Sequence, residues 1–344
     1  MILDIINKKR LAKELTYEDL EFAFDGYLED KVDDYQMSSL LMAICVNGLT
    51  DEEIFNLTKI FINSGEILDF KDIDGVLVDK HSTGGIGDKT TLVVAPVVAA
   101  CGVKVIKMSG RGLGYTGGTI DKLESIPGYR VDLTDREIKK QLKDIGVVIT
   151  SQTKKLVPLD KEIYALRDVT GTVSSIGLIA ASIMSKKIAG GADKIVIDLK
   201  VGNGALINNM RDAKKLEEIM VKIGKKYKRE VRVIVNDMNT PLGNSIGNAI
   251  EVLEAISVLR GEEKNNHFYN VCCDLASEMV SMAKKIPKEK AMEEVKTAIK
   301  DGSAYKKFEE LVTSQGGNIK KIKLRKRTKN IRAIKKEKLK KLMP

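Results

Sequence analysis

The stretch KHSTGGIGDKTT, residues 80–91, joins a short apolar run to a longer run of small and apolar residues. The first run, residues 76–78, predicts a strand, and residues 90–100 predict a helix. Glycines between a strand and a helix let backbone N–H groups turn towards an anion, and the helix dipole favours negative charge there. The spacing matches neither a Walker loop nor the dinucleotide-binding motif. A tight turn without a ligand has a similar composition, so this loop alone leaves both readings open.

A second glycine-rich loop, MSGRGLGYTGGT at residues 108–119, follows a strand predicted over residues 103–108. In a parallel sheet both loops lie at the carboxyl edge, where ligands bind. Two such loops on successive strands favour a phosphate site over two unrelated turns. In the first loop Lys80 supplies charge, and Ser82, Thr90 and Thr91 supply hydroxyl donors; Ser109 and Thr119 of the second loop are expected to face the same anion.

Further strands and helices alternate along the chain after these loops. Strands are predicted at residues 147–150, 194–199 and 231–235, and helices at residues 212–227 and 246–259. This alternation predicts an α/β domain with a mainly parallel sheet. Residues 1–65 and 268–314 show helical periodicity, and Thr50 followed by Glu53 predicts a capping box at the start of one helix.

A second group of polar residues surrounds a helix predicted over residues 168–189. This helix belongs either to the sheet domain or to the N-terminal helical region. Ser182 and Lys186 share one face of it, and Arg167 precedes it. The three suit a planar ligand with carbonyl acceptors, although a surface salt-bridge face would use the same residue types. His81 lies inside the first loop, where a hydrogen-bonding or proton-donating role is expected.

The net charge of +10 over 344 residues comes from one end of the chain. Residues 319–344 hold thirteen Lys or Arg and one Glu, so the rest of the chain carries a net charge of −2. We therefore expect nucleic acid to be a partner only through this tail. No apolar run approaches the ~20 residues of a membrane span, and no secretory signal is present. Four cysteines without zinc spacing predict free thiols, and the expected compartment is the cytoplasm.

Three long motifs resemble the thymidine and pyrimidine-nucleoside phosphorylase family, most closely its bacterial pyrimidine-nucleoside branch. They lie at residues 80–102, 107–128 and 164–205, and the similarity covers residues 1–317. The resemblance implies a helical domain (1–66 and 163–193) and a larger α/β domain (67–162 and 194–317), with a basic tail at 318–344. It also implies a homodimer formed through the helical domains, and it assigns the Arg167 helix to the helical domain.

The reaction implied by the resemblance is reversible phosphorolysis of uridine, deoxyuridine or thymidine to the base and α-(deoxy)ribose 1-phosphate. Inorganic phosphate and the nucleoside are then the partners, and no organic cofactor is required. By motif position the phosphate ligands are Lys80, Ser82, Thr91, Ser109 and Thr119. The catalytic residues implied are His81, Arg167 and Lys186, and Arg167, Ser182 and Lys186 bind the base.

The chain departs from the family pattern at two positions near the site. The resemblance implies a potassium site made by Gly87, Leu242, Ser245 and Glu254. Lys89 replaces a threonine there, so its ammonium is expected either to take the place of potassium and pair with Glu254, or to point to solvent. Tyr115 replaces the usual histidine of the second loop, and a tyrosine does not titrate near neutral pH.

The third departure is that the match ends near residue 317, where the family continues with a final lobe of the α/β domain. Exposed core surface, low stability and impaired turnover are the consequences we expect from a missing lobe. Two alternatives to an active phosphorylase stay open at this point. One is a phosphoribosyltransferase of related architecture, and the other is an inactive remnant whose basic tail binds nucleic acid.

Overall fold

The computed structural model describes residues 1–112, 117–153, 155–264 and 266–324. Four helices come first along the chain: α1 Ile2–Arg10, α2 Tyr17–Leu28, α3 Asp34–Asn47 and α4 Asp51–Asn63. The predicted capping box begins α4, because Thr50 Oγ1 accepts from the N–H of Glu53 (3.2 Å) and the Glu53 carboxylate accepts from the N–H of Thr50 (2.7 Å). Both bonds satisfy donors that a helix start otherwise leaves free.

Five strands form one sheet: β1 Leu77–Ser82, β2 Lys104–Ser109, β3 Val147–Ser151, β4 Lys194–Val201 and β5 Glu230–Asp237. Their order is β3-β2-β1-β4-β5, and every neighbouring pair is parallel. The predicted α/β class and parallel sheet are confirmed. Ser82 pairs with Asp198, and Ser109 pairs with Ser151, so both glycine-rich loops leave the sheet at its carboxyl edge.

Ten helices follow among the described residues. They are α5 Thr90–Ala100, α6 Thr119–Glu124, α7 Asp135–Asp144, α8 Pro158–Thr170, α9 Ile176–Ala189, α10 Met210–Lys226, α11 Asn248–Leu259, α12 His267–Lys284, α13 Lys288–Lys300 and α14 Ser303–Ser314. One short 3₁₀ turn, Ile319–Lys321, comes last. None of these helices, nor of the four before them in the described part, is both long and apolar enough to cross a membrane.

Two apolar cores cover the two faces of the sheet. One contains α7, α9 and α10 and continues without a break into α1–α4 and α8. The other contains α5, α11, α12 and α14. Helix α9 therefore connects the N-terminal helices to the sheet. The domain boundaries implied by the resemblance stay a prediction, since both groups of helices share the first core.

The helix predicted over residues 168–189 is wrong in its start. The structure has two helices, and Arg167 lies within α8 rather than before a helix. Gly171 adopts φ 69°, which ends α8, and α9 begins five residues later. The helical segment 268–314 is likewise three helices, interrupted where Lys285 and Gly302 adopt positive φ.

Candidate active site

Lys80, near the end of β1, is a buried ammonium below the first loop. Its Nζ lies 2.9 Å from Asp198 Oδ2 on β4 and donates to Thr90 Oγ1 at the start of α5. Thr90 Oγ1 in turn donates to Asp88 Oδ1 (2.7 Å). Because burial removes water from these groups, each charge needs its partner in place. The network therefore fixes the loop against β4 and the first turn of α5, where Thr91 is also buried.

The first loop is held by residues at the end of β4 and just after it. The N–H of Ile86 donates to Gly204 O (3.2 Å), and Thr83 Oγ1 accepts from the N–H of Lys200 (2.9 Å). Gly84 and Gly87 adopt φ values of 89° and 77°, which other residues rarely reach. The glycines thus allow a path that the neighbouring strand then fixes.

Asp88, within the first loop, is a carboxylate surrounded by ammonium groups. Burial would raise its pKa, but the charges of Lys80, Lys200 and Lys122 hold the pKa well below its usual value. Asp88 is therefore ionised at neutral pH. It orders Thr90 by accepting from both the N–H (3.2 Å) and the hydroxyl of that residue.

The second loop is closed by Asp121 of α6. Its carboxylate accepts from the N–H groups of Gly112 (2.6 Å) and Gly118 (3.1 Å), which lie at the two ends of the loop. Ser109 at the end of β2 is buried, and Thr119 is the first residue of α6. The prediction for Tyr115 concerns a residue outside the described ranges.

The two loops are joined by Lys122, a buried residue of α6. Its Nζ donates to Asp88 O in the first loop and lies 2.8 Å from Glu251 Oε2 of α11. The five predicted phosphate ligands therefore belong to segments that a single hydrogen-bonded network connects. Their contact with one phosphate stays a prediction.

The predicted base ligands lie together on α8 and α9. Lys186 Nζ donates to Ser182 Oγ (2.7 Å) and to the carboxylate of Asp160. Arg167 Cζ and Lys186 Nζ both lie 5.7 Å from the ring centroid of Tyr164. Both cations thus lie within cation–π distance of one aromatic ring, which attracts each of them. The surface salt-bridge reading does not describe this group, since Arg167 is 1% exposed.

Arg167 is oriented by the backbone that follows α8. Its Nε donates to Thr172 O (3.2 Å), and its Nη2 donates to Val173 O (2.7 Å). Burial lowers the pKa of the guanidinium, and the charge of Asp160 opposes that shift. Arg167 has further N–H donors beyond these two bonds, so it is able to bind a carbonyl oxygen while its backbone contacts hold it.

His81 follows Lys80 on β1, so it lies within the strand and not, as the sequence predicted, inside the first loop. Burial is the largest cause that lowers its pKa well below the usual value, followed by the charges of Lys187, Lys107, Lys186 and Lys80. Lys80 is a predicted phosphate ligand and Lys186 is a predicted base ligand, so positive charges from both sets of residues act on the histidine. The imidazole is neutral at pH 7 and carries one N–H donor.

Lys107 on β2 adds positive charge without an acidic partner. Its Nζ donates to Met108 O (2.7 Å), and among the described residues no carboxylate lies within ion-pair distance of it. Lys187 of α9 is instead paired with Asp79 Oδ2 (2.7 Å). Burial and the charge of Lys187 lower the pKa of Lys107. An anion that entered here would relieve this repulsion.

Lys89 is placed where the resemblance implies a cation site. Its Nζ lies 2.7 Å from Leu242 O, 2.9 Å from Ser245 O and 2.6 Å from Glu254 Oε2. The alternative in which Lys89 points to solvent is inconsistent with this geometry, because the side chain is fully buried.

Sequence reasoning missed two members of the base group. Asp160 precedes Lys186 by 26 residues on another helix, so no local spacing connects them. Tyr164 had a usable signal, because it precedes Arg167 by one helical turn. The spacing indicates a contact only when both residues lie in one helix, and the sequence predicts Arg167 before the helix rather than within it.

Family models match most of the chain. Residues 3–65 match the glycosyl transferase family, helical bundle domain, and residues 74–305 match the glycosyl transferase family, a/b domain. Relatives include the pyrimidine-nucleoside phosphorylases of Staphylococcus epidermidis (51% identical), Geobacillus stearothermophilus (49%) and Bacillus subtilis (49%). Each match covers 92% of this chain and 73% of the relative.

Solved structures with this fold include anthranilate phosphoribosyltransferases. The enzyme of Thermus thermophilus matches with a TM-score of 0.70 at 18% identity, covering 91% of this chain and 99% of that one. The enzyme of Saccharomyces cerevisiae, solved with PRPP and Mg, gives 0.70 at 14% identity, covering 91% and 97%. At such identities the likeness extends to the fold alone. Half of the sequence is shared with the phosphorylases instead, and the chain belongs to the pyrimidine-nucleoside phosphorylases of the glycosyl transferase family.

Proposed function

We propose that this chain catalyses the reversible phosphorolysis of uridine, deoxyuridine and thymidine. Phosphate attacks C1′ of the sugar, the C1′–N1 bond breaks, and the products are the free base and α-(deoxy)ribose 1-phosphate. The observation that carries the proposal is the presence of two hydrogen-bonded charged groups, one around Lys80 and one around Lys186, with His81 next to Lys80 on β1. One group is formed by the two glycine-rich loops, and the other by α8 and α9.

The residues of the two glycine-rich loops bind phosphate, which is the nucleophile. Lys80, Ser82, Thr91, Ser109 and Thr119 are its proposed ligands. Phosphate enters next to the repelling pair of Lys107 and Lys187, and its negative charge stabilises their ammonium forms. Holding the anion in a fixed position turns a bimolecular attack into a step within one complex.

The base group stabilises the leaving group. When the glycosidic bond breaks, the electron pair stays with the pyrimidine, and negative charge spreads to its carbonyl oxygens. Arg167 and Lys186 place positive charge there, and Ser182 adds a hydroxyl group. The neutral His81 donates a hydrogen bond to a carbonyl of the departing base. Donors placed in advance stabilise developing charge at little reorganisation cost.

The phosphoribosyltransferase alternative is supported by the shared fold only. Its solved examples are 14–18% identical to this chain, whereas the phosphorylases are 49–51% identical. The three base-group residues Arg167, Ser182 and Lys186 also suit a pyrimidine with two carbonyl groups. Phosphorolysis is therefore the reaction that we propose.

The test is phosphate-dependent release of uracil or thymine from the three nucleosides. Lys186→Ala is expected to lower kcat/KM by about 100-fold or more, because it removes one charged donor to the leaving group. Lys290→Ala, an exposed lysine of α13, is the matched control and should behave as the unmodified chain. Release of no base from any of the three nucleosides, or equal release without phosphate, contradicts the proposal.

Two further properties belong to this proposal. Copies of the chain pair through the exposed apolar surface of α1 and α3, where Met42 is 44% and Val46 is 75% exposed. The enzyme works in the cytoplasm, which suits the four free cysteine thiols.

A further inference from the structure

We propose that the ammonium of Lys89 takes the place of a bound monovalent cation. The first glycine-rich loop, residues 80–91, therefore needs no potassium ion to hold its position. Lys89 ends the first loop and is the residue before α5. Its three oxygen contacts come from Leu242, Ser245 and Glu254, far away along the chain. One side chain thus cross-links the first loop, the 242–245 turn and helix α11.

The surroundings of Lys89 Nζ are those of an alkali cation. Two neutral carbonyls and one carboxylate oxygen lie between 2.6 and 2.9 Å from it. An ammonium has three hydrogens, and these three acceptors use all of them. The ring of Phe268 covers the group, with its centroid 5.0 Å from Nζ. The ammonium is therefore saturated.

A metal ion does not fit beside this ammonium. Two unit charges about 4 Å apart repel by about 4 kcal/mol at an effective dielectric constant near 20. The oxygen atoms that would offset this repulsion are already bound to Lys89. The residues that the resemblance implies for potassium, Gly87, Leu242, Ser245 and Glu254, are all present, but the oxygen atoms of the last three already bind Lys89 Nζ.

The turn is shaped to close on the ammonium. Gly243 adopts φ 75°, and a Cβ at this position would lie 2.7 Å from Lys89 Nζ and 2.5 Å from Glu254 Oε1. Glu254 also accepts from the N–H groups of Asn244 (2.6 Å) and Ser245 (2.9 Å). A Cβ at Gly87 would lie 2.7 Å from Leu242 O. The carboxylate therefore binds both the turn and the cation.

Lys89 acts on phosphate only through the backbone. It precedes Thr90, which orders Lys80 and Asp88, and Thr91, which is a proposed phosphate ligand. Lys89 is a positioning residue by this argument. Its effect is expected on the affinity for phosphate and on stability, both of which are measurable without nucleoside turnover. A failure of the proposed reaction would leave these measurements intact.

The first experiment uses the unmodified chain. Its melting temperature and its affinity for inorganic phosphate, by calorimetry, are compared in potassium chloride and in tetramethylammonium chloride of equal ionic strength. We expect equal values in the two salts. A melting temperature or a phosphate affinity that rises specifically with potassium would overturn the proposal.

The second experiment opens the position with Lys89→Thr. This variant should be less stable in tetramethylammonium chloride and should regain about 3 °C or more in saturating potassium, because a cation that binds only the folded state stabilises it. In crystals soaked with thallium(I), an anomalous peak is expected between Leu242, Ser245 and Glu254 of the variant. No peak is expected there in the unmodified chain.

Two controls separate this effect from a general salt effect. Lys89→Thr combined with Glu254→Gln lacks the carboxylate and should lose the potassium response. Lys13→Thr changes an exposed lysine and should show none. A folded Lys89→Thr protein without a potassium response, or a thallium peak in the unmodified chain, contradicts the proposal. If the variant does not fold, the two measurements on the unmodified chain decide.

Discussion

At the scale of single residues, the candidate site is distinguished by buried lysines at the carboxyl edge of the sheet. Five of them have a carboxylate partner, and the pairs are Lys80–Asp198, Lys200–Asp198, Lys89–Glu254, Lys122–Glu251 and Lys187–Asp79. Lys107 has none among the described residues. Paired charges fix geometry, whereas the low pKa of the unpaired Lys107 means that its ammonium form is favoured only when an anion lies beside it. Such an arrangement favours an anion, and it does so without a basic surface.

His81 leads to a prediction about pH. Its folded-state pKa lies below that of the unfolded chain, mainly through burial and then through Lys187, Lys107, Lys186 and Lys80. As the pH falls below about 6.5, the unfolded chain takes up a proton that the folded chain does not. Stability due to this group is therefore complete above that pH and is lost below it, by up to about 1.4 kcal/mol per pH unit.

The measurement is the free energy of urea unfolding between pH 7.5 and 5.5, for the unmodified chain and for His81→Asn. Asparagine keeps a hydrogen-bond donor but does not titrate, so the variant should lose less stability over this interval. The difference between the two curves isolates the histidine from every other titrating group. Parallel curves would show that His81 takes up its proton equally in both states, contrary to this prediction.

At the scale of elements, the sequence predicts most of the sheet and its flanking helices. The predicted bounds of α5 agree with the observed ones, and those of β2–β5 agree to within two residues at each end. The agreement is close because apolar runs between glycine loops are strong local signals. Two segments are exceptions: β1, predicted over residues 76–78, continues to Ser82, and the segment around α8 is divided differently from its prediction. Helix α8 starts at Pro158 and ends at Thr170, and only residues 171–175 separate it from α9. Local periodicity continues across such a break, and only the backbone shows it.

The candidate site was less predictable than the fold for a related reason. Loop residues such as Lys80 and Ser82 stand next to one another in sequence, so their proximity is local. The partners that orient the site come from elsewhere. Asp198 belongs to β4, Asp160 to α8 and Glu254 to α11, and no spacing rule relates them to Lys80, Lys186 or Lys89. Pairs of this kind require the tertiary fold, or a family pattern that contains it.

Gly171 gives a prediction at the element scale, since it ends α8 with φ 69° and has open space around its Cα. Gly171→Ala should lower the free energy of unfolding by about 1 kcal/mol, because only the left-handed backbone opposes the new Cβ. Arg167 binds Thr172 O and Val173 O just beyond this glycine. The variant should therefore also raise KM for the nucleoside.

Gly110→Ala is the matched control for stability. A Cβ at Gly110 also meets open space, but the backbone there is not left-handed. Alanine at that position should leave the free energy of urea unfolding unchanged or raise it by about 0.4–1 kcal/mol. Equal effects of the two substitutions would mean that the backbone at Gly171 carries no special cost, and the account of how α8 ends would be wrong.

At the scale of the whole molecule, the first apolar core makes the N-terminal helices and one face of the sheet a continuous body. Lys187 of α9 binds Asp79 of β1, and its neighbour Lys186 belongs to the base group. Adjacent residues of one helix thus contact the sheet and form part of the proposed base site. Any change in the packing of α9 on β1 would therefore move the base group relative to the phosphate loops.

The outer surface of the N-terminal helices carries the last prediction. A hollow between α1 and α3 is lined by Ile6, Arg10, Ser38, Ser39, Met42 and Val46. Val46 is 75% exposed there, and exposed apolar side chains around a hollow are typical of an interface between copies.

The unmodified chain should have about twice its chain mass of 38.0 kDa by light scattering after gel filtration. Val46→Glu would place a carboxylate in the contact and should yield single chains, because burying an unpaired charge costs several kcal/mol. Val221→Glu on α10, where the valine is 40% exposed, is the control and should stay paired. A dimer of Val46→Glu, or a monomer of the unmodified chain at micromolar concentration, would place the contact elsewhere or remove it.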